Sequence, residues 1–161
     1  MVLEKQVFLF LNIVHNSMKQ KLTDYFREGG FQLSPEQFLV MDTLWDEGVL
    51  TQQQIADITM RDKNSIVKLI DGLESRKLVR RASNPLDRRQ NLIEVTPYSL
   101  TVKDKIEALA YESVHGILGD IPKKALDTFV KVLVRMEKNM DPASDLKALA
   151  EKYPTNKENN G

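Results

Sequence analysis

The sequence predicts a mainly α-helical fold that contains one small β-hairpin. Apolar residues recur at three- and four-residue spacing along most of the 161 residues, which is the period of amphipathic helices. The period changes to the alternation of strands only between about Leu78 and Thr96. The composition, with 42% hydrophobic and 29% charged residues, is that of an ordinary globular protein. Because the chain has no cysteine, disulfides, thiolate metal sites and thiol redox sensing are excluded.

Neither a membrane span nor a secretory signal is predicted. The longest apolar run is Val7–Leu11, far shorter than the roughly 20 residues that cross a bilayer. Glu4 precedes this run, Asn12 follows it, and no small-residue cleavage motif comes after it. We therefore expect a cytoplasmic protein that does not associate with membranes.

The first two helices have clear ends. An apolar stripe between Val7 and Phe26 predicts a helix over about 4–28, which Gly29-Gly30 ends because glycine readily takes the left-handed conformation. Ser34-Pro35-Glu36-Gln37 then provides an N-cap serine, a proline at the first helical position and a glutamine at the third. This second helix is predicted to end at Glu47-Gly48.

Two short helices come next in quick succession. Thr51-Gln52-Gln53-Gln54 is a capping box that opens a helix with Ile55 and Ile58 on its buried face. Asp62 caps the following helix, whose apolar side is formed by Ile66, Leu69, Ile70 and Leu73. Two short helices about three residues apart, the second of them amphipathic, are typical of a helix-turn-helix.

A hairpin and two longer helices complete the prediction. The strand-like segments 78–82 and 92–96 flank a polar turn that contains the breaker pair Asn84-Pro85. Thr96-Pro97 starts a helix that ends at Gly119, and Pro122 starts a last one that ends at Asp141-Pro142. A further short amphipathic helix would contain Leu146, Leu149, Ala150 and Tyr153, and Thr155–Gly161 is predicted to be disordered.

Basic charge is concentrated over the helix-turn-helix and the hairpin. The net charge is zero, with 23 basic and 23 acidic residues, but the segment 60–91 holds nine basic and only four acidic residues. This local excess of five positive charges indicates a nucleic-acid partner. A protein partner is the alternative, since a fold alone does not decide whether its partner is nucleic acid or protein.

The order helix, helix, helix-turn-helix, hairpin, helix, helix predicts a winged helix-turn-helix flanked by long helices. The segment from Ser34 to Thr96 resembles the MarR family of bacterial transcription regulators, most specifically at Asp87-Arg88-Arg89 followed by a strand that ends in threonine. The family usually has a glycine soon after that threonine, where this chain has Pro97-Tyr98-Ser99. The resulting organisation is a helical dimerisation region over 1–30 and 97–141, a DNA-binding lobe over 31–96, and a partly disordered tail over 142–161.

The helix after Asp62 is suited to reading bases. Its side opposite the apolar face carries Lys63, Asn64, Val67, Lys68 and Asp71. In the major groove asparagine pairs with adenine, lysine with guanine, and a small apolar group contacts the thymine methyl. An ordinary solvated helix face is the alternative interpretation.

The hairpin tip is suited to a minor groove, because Arg88 and Arg89 project from a short polar turn. The resemblance implies that Arg89 is the minor-groove arginine and that Asp87 holds the wing in shape by pairing with an arginine. A charged loop that only aids solubility is the alternative. Since Arg80 and Arg81 fall on opposite strand faces, at most one points towards phosphate. The predicted DNA-binding residues are Lys63, Asn64, Ser65, Val67, Lys68, Arg81, Asn84, Asp87, Arg88 and Arg89.

The apolar stripes of the first helix and the last two helices are too extensive for one small winged helix to cover. A homodimer would bury them, and its twofold symmetry would match a palindromic operator on double-stranded DNA. An enlarged monomeric core is the alternative. The resemblance also implies a small aromatic acid effector between the dimer helices and the DNA-binding lobe, for which the candidates are His15, Met41 and Trp45. Core packing explains these three residues equally well.

No catalytic, metal or cofactor site is predicted. His15 and His115 lie on separate predicted helices without the H-E-x-x-H spacing, and the sequence has no glycine-rich phosphate loop. Asp46-Glu47 and Glu36 are typical helix-end charges. We therefore expect that the protein is not an enzyme.

Overall fold

The computed structural model describes residues 2–146 and residue 148. Within this part of the chain the elements follow in the order α1 (Val2–Glu28), α2 (Pro35–Glu47), β1 (Leu50–Thr51), α3 (Gln52–Thr59), α4 (Lys63–Ser75), β2 (Val79–Ser83), β3 (Asn91–Val95), α5 (Pro97–Leu118) and α6 (Lys123–Met140). The prediction of a mainly α-helical winged helix-turn-helix is confirmed.

The helix starts form as the cap motifs predict. The Ser34 hydroxyl accepts a hydrogen bond of 3.1 Å from the Gln37 amide, and the Gln37 side chain accepts one of 3.1 Å from the Ser34 amide. The same reciprocal pair joins Thr51 and Gln54, at 3.1 and 2.8 Å. These bonds satisfy amide groups that have no partner within the helix, which fixes where α2 and α3 begin.

The sheet has one strand that the sequence did not reveal. Strand β1 pairs antiparallel with β3, with Leu50 opposite Ile93, so the sheet order is β1-β3-β2. This strand is only two residues long, and Thr51 is also the N-cap of α3, so no strand period can develop. The two hairpin strands start and end one residue away from their predicted bounds, and β3 stops at Val95 because Thr96 caps α5.

The core of the winged lobe lies between α2, α3, α4 and the sheet, and it continues to α1 and α5. Phe26 of α1 and Ile106 of α5 are completely buried. The other fully buried apolar side chains of the described residues belong to the lobe itself: Val40, Met41, Leu44, Ile55, Ile66, Ile70, Leu73, Val79 and Ile93. Burial of these groups fixes the orientation of α4 and thereby decides which of its side chains face solvent.

The chain falls into two compact units, Met1–Ile117 and Leu118–Gly161. The second unit contains α6, none of whose residues is buried. Leu146 is helical, whereas the predictions for Leu149, Ala150, Tyr153 and Thr155–Gly161 fall outside the described residues. The division into a dimerisation region and a DNA-binding lobe stays a prediction. No helix in the described part of the chain has the length and apolar character of a membrane span.

Candidate nucleic-acid interface

Helix α4 presents a polar face to solvent. Ile66, Ile70 and Leu73 anchor its other side in the core, each completely buried. The sequence-predicted base-reading residues lie on the accessible side, where Lys63, Asn64 and Lys68 are exposed and Val67 is half-buried. The structure thus brings these side chains onto one surface of one helix.

The start of α4 depends on the turn that precedes it. Met60 adopts a left-handed conformation with φ of 53°, which ends α3 and turns the chain towards Asp62. The Asp62 carboxylate accepts hydrogen bonds from the Ser65 hydroxyl at 2.5 Å and from the Ser65 amide at 2.9 Å. These bonds lower the pKa of Asp62. Ser65, predicted as a DNA contact, therefore uses its side chain in the helix cap.

The wing is the hairpin of β2 and β3, and its tip is the turn over residues 84–90 between these strands. Two side chains that accept hydrogen bonds from backbone amides give this turn its shape. The amide oxygen of Asn84, a buried residue, accepts a hydrogen bond of 3.0 Å from the Leu86 amide. Asp87 accepts from the Arg89 amide at 3.0 Å and from the Arg89 side chain at 3.2 Å. The prediction that Asp87 pairs with an arginine is confirmed, and that arginine is Arg89.

Arg89 nevertheless projects from the wing. Its side chain is 91% exposed although it pairs with Asp87, and Arg88 beside it is exposed as well. Asn84 faces inward and supports the tip from within. The two arginines therefore place two exposed positive charges on a turn that hydrogen bonds hold in shape. This arrangement suits a narrow and electronegative minor groove.

The two arginines of strand β2, Arg80 and Arg81, point to opposite sides of the sheet and pair with different carboxylates. Arg80 faces outward and pairs with Glu94 on the neighbouring strand at 2.7 Å. Arg81 reaches back to α4, where it pairs with Asp71 at 2.5 Å and with Glu74. Burial alone would lower the pKa of the Arg81 guanidinium, but the hydrogen bonds to these two carboxylates raise it above its ordinary value.

Sequence reasoning did not identify Asp71 and Glu74 as partners of Arg81. The available signal was alternation along β2: Val79 is buried in the core, and a residue two positions later points to the same side of the sheet. Which acidic groups lie there depends on how α4 packs beside the strand, and the sequence pattern does not specify this.

The three candidate effector residues occupy different environments. His15 is exposed on α1, whereas Met41 is completely buried in the core. Trp45 is half-buried, and its indole N–H donates a hydrogen bond of 3.0 Å to the buried Ser99 hydroxyl. Their role as an effector site stays a prediction.

Sequence comparisons identify relatives among bacterial regulators. The MarR family model matches residues 33–90. The transcriptional regulator MhqR of Bacillus subtilis (strain 168) is 27% identical over 138 residues, which cover 84% of this chain and 83% of MhqR. The regulator MgrA of Staphylococcus aureus is 26% identical over 76 residues, which cover 47% of this chain and 52% of MgrA.

Structure comparisons find the same fold in other proteins, two of them solved in complex with DNA. Reduced AbfR bound to DNA superposes with a TM-score of 0.72 at 18% identity, covering 88% of this chain and 96% of AbfR. A mutant of MarR from E. coli, complexed with operator DNA, gives 0.74 at 17% identity, covering 81% and 92%. A MarR family regulator from Rhodococcus sp. RHA1 gives 0.71 at 22% identity, covering 88% and 96%. The helix-turn-helix, the arginine-tipped wing and these matches together support the MarR family as the family that this chain resembles.

Proposed function

We propose that this protein is a sequence-specific transcription regulator that binds a palindromic operator as a homodimer. The observation that carries the proposal is the combination, in one lobe, of the polar face of α4 with the cationic wing tip at Arg88 and Arg89. These two elements would bind separate grooves, and the three-stranded sheet β1-β3-β2 lies in the same lobe. A module that only binds protein does not require the second element.

The two elements have complementary chemistry. Lys63, Asn64, Val67 and Lys68 on α4 would read base edges in the major groove, where each base pair presents its own pattern of donors, acceptors and methyl groups. Arg88 and Arg89 would enter the adjacent minor groove, whose width and potential depend on A·T content. Specificity is therefore assigned mainly to α4 and much of the affinity to the wing.

Exposed apolar side chains support a dimer. On α1, Leu3 and Phe8 are 70% and 79% exposed, and on α6 Phe129 and Val132 are each 49% exposed. Apolar surfaces of this kind mark protein interfaces. A second copy of the chain would cover them, and a twofold dimer presents two α4 helices to half-sites about 10 base pairs apart.

We also propose a small aromatic acid as effector, with His15, Met41 and Trp45 as the residues to test. The support within the structure is at Trp45: the Lys103 ammonium lies 5.9 Å from the centre of its ring. A half-buried aromatic ring beside a cation suits an anionic aromatic ligand. Calorimetric titration with benzoate derivatives, using Trp45→Phe as the variant, would test this part on its own.

Selection of bound fragments from random double-stranded DNA tests the main proposal. We expect enrichment of a palindrome, and an affinity that falls steeply with salt because phosphate contacts release counterions. Charge-matched DNA of scrambled sequence is the control for specificity. Failure to enrich any sequence, together with binding that does not depend on salt, would contradict the proposal and favour a protein-binding module.

A further inference from the structure

Arg81 lies at an unusual place for a cation, on the inner side of the wing. It is opposite Ile93, a completely buried residue of β3, and it follows the buried Val79 by two positions along β2. Only 21% of its side chain is exposed. A guanidinium that is partly shielded from water is stabilised by charged partners, since desolvation opposes it.

Those partners are on α4. The Arg81 guanidinium pairs with the Asp71 carboxylate at 2.5 Å and with one oxygen of the Glu74 carboxylate. The other oxygen of Glu74 accepts a hydrogen bond of 3.1 Å from the Arg81 backbone amide. Both oxygens of one helix carboxylate are thus used by one strand residue, which fixes the distance and the orientation between β2 and α4.

We propose that Arg81 is a positioning residue that locks the wing to the base-reading helix, and that it does not itself bind phosphate. This inference rests on the proposed DNA-binding function. Its guanidinium already faces two carboxylates, which offer more negative charge than the arginine can neutralise. A phosphate would have to compete with both of them, whereas Arg88 is exposed and Arg89, 91% exposed, faces the single carboxylate of Asp87.

The contacts of Arg81 with Asp71 and Glu74 matter because the proposed mode of DNA binding uses two grooves at the same time. Asp71 lies on α4 one turn beyond Lys68, and Glu74 one turn beyond Asp71. The Arg81 contacts therefore connect the helix that carries the major-groove residues to the strand that leads directly into the wing tip. Without them the wing would move relative to α4, and Arg89 would lose part of its pre-organised position.

Substitutions of Glu74 and Arg81 distinguish a positioning role from phosphate binding, because the two roles predict different changes in operator affinity. We expect Glu74→Gln, Arg81→Gln and Arg81→Lys each to weaken operator binding about tenfold. Glutamine carries no charge, and lysine lacks the planar guanidinium that can bind two carboxylates at once, so none of these variants keeps the ion pairs between β2 and α4. The double variant Arg81→Gln with Glu74→Gln should bind no more weakly than Arg81→Gln alone. If Arg81 bound phosphate, Arg81→Lys would keep most of the affinity and Glu74→Gln would equal or exceed the wild type. Either result would overturn the proposal.

Arg80→Gln is the matched control, because Arg80 lies on the same strand but faces outward to Glu94. Its removal should leave the coupling between α4 and the wing unchanged. All variants are compared at a temperature at which their unfolding curves show them fully folded. Should Arg81→Gln fail to fold, Glu74→Gln and Arg81→Lys still decide the question.

Coupling to the wing tip gives a readout that general destabilisation would not produce. Arg81→Gln combined with Arg89→Ala should cost clearly less affinity than the product of the two single losses, since a misplaced Arg89 has less binding left to lose. Independent, multiplicative losses would refute a positioning role. In the free protein, hydrogen exchange of the β2 amides should accelerate in Arg81→Gln while exchange in α2 is unchanged. That measurement needs no DNA, so failure of the wild type to bind DNA would contradict the proposed function without deciding the role of Arg81.

Discussion

The Thr96 hydroxyl donates a hydrogen bond of 2.6 Å to the carbonyl oxygen of Lys77. The hydroxyl oxygen itself accepts a hydrogen bond of 3.1 Å from the Ser99 amide at the start of α5. One side chain therefore connects three places: the turn after α4, the end of the wing and the first turn of α5. These contacts set where the winged lobe joins the long helix α5 that follows it.

Removing this hydroxyl should destabilise the fold. Thr96→Val keeps the shape of the side chain but leaves the Ser99 amide without its cap, and we expect a loss of about 1–2 kcal/mol in the free energy of unfolding. Urea denaturation followed by circular dichroism measures it. Thr96→Ser, which keeps the hydroxyl, is the control and should stay close to the wild type. Equal stability of the valine and serine variants would mean that the contact contributes nothing.

The turn that receives this bond carries local backbone strain. Lys77 has φ of 61°, a left-handed conformation that L residues other than glycine adopt at a cost. We therefore expect Lys77→Gly to stabilise the protein by up to about 1 kcal/mol, after allowing for the extra freedom of glycine in the unfolded chain. Lys77→Ala separates this effect from loss of the lysine side chain and should give no such gain. A higher melting temperature for glycine alone is the expected result.

The helix-turn-helix was predictable because its signals are local. Ser34, Thr51 and Asp62 cap helices through contacts with residues three positions away, so the sequence alone indicates where α2, α3 and α4 begin. The solvent-facing side of α4 follows directly, since burying Ile66 and Ile70 leaves the other side of the helix in solvent.

Contacts between distant segments could not be predicted in the same way. Strand β1 exists because Leu50 meets Ile93, 43 positions along the chain, and two residues show no period of their own. The pairing of Arg81 with Asp71 and Glu74 likewise depends on how a strand and a helix pack. Sequence reasoning therefore placed Arg88 and Arg89 in the turn between the two hairpin strands, where they are exposed, but it did not identify the carboxylate partners of Arg81.

Asp42 should make the folded protein less stable as the pH rises, whereas most carboxylates in folded proteins have the opposite effect. Burial, followed by the nearby carboxylates of Asp46 and Glu107, raises the pKa of Asp42, and Lys103 only partly opposes this. The folded protein therefore binds this proton more tightly than the unfolded chain, so ionisation of Asp42 lowers stability as the pH rises through the raised pKa.

Asp42→Asn should consequently be more stable than the wild type at pH 7. The difference should shrink as the pH falls towards the ordinary aspartate value of 3.8, where the wild-type carboxyl becomes protonated. Thermal unfolding of both proteins across this pH range provides the test. An asparagine variant that is less stable at pH 7 would show that the ionised carboxylate makes favourable contacts.

The proposed dimer predicts a specific effect at Phe129. This side chain is 49% exposed on α6, so replacing it by glutamate leaves no large cavity within the chain. In a dimer the new charge would be buried without a partner, at a cost of several kcal/mol, and we expect dissociation at micromolar concentration. Light scattering measures the mass. Lys131→Glu, at a charged and exposed position, is the control and should remain dimeric. A Phe129→Glu protein that stays dimeric would place the interface elsewhere.

Alanine substitutions at Asn64 and Arg88 test whether α4 determines sequence preference while the wing contributes mainly affinity. Both are exposed, so alanine at either position should leave the fold intact. Asn64→Ala should relax the preference at one or two positions of each half-site, because it removes a side chain that can pair with a base edge.

Arg88→Ala should instead weaken binding to all sequences more evenly and reduce the slope of log affinity against log salt by about one unit. Competition against single-base operator variants at two salt concentrations separates the two behaviours. Since a minor-groove contact senses mainly groove width and potential, loss of the Arg88 side chain should alter the ranking of operator variants little. If Asn64→Ala weakened every variant equally, α4 would be holding the backbone, and the bases would have to be read by another part of the lobe.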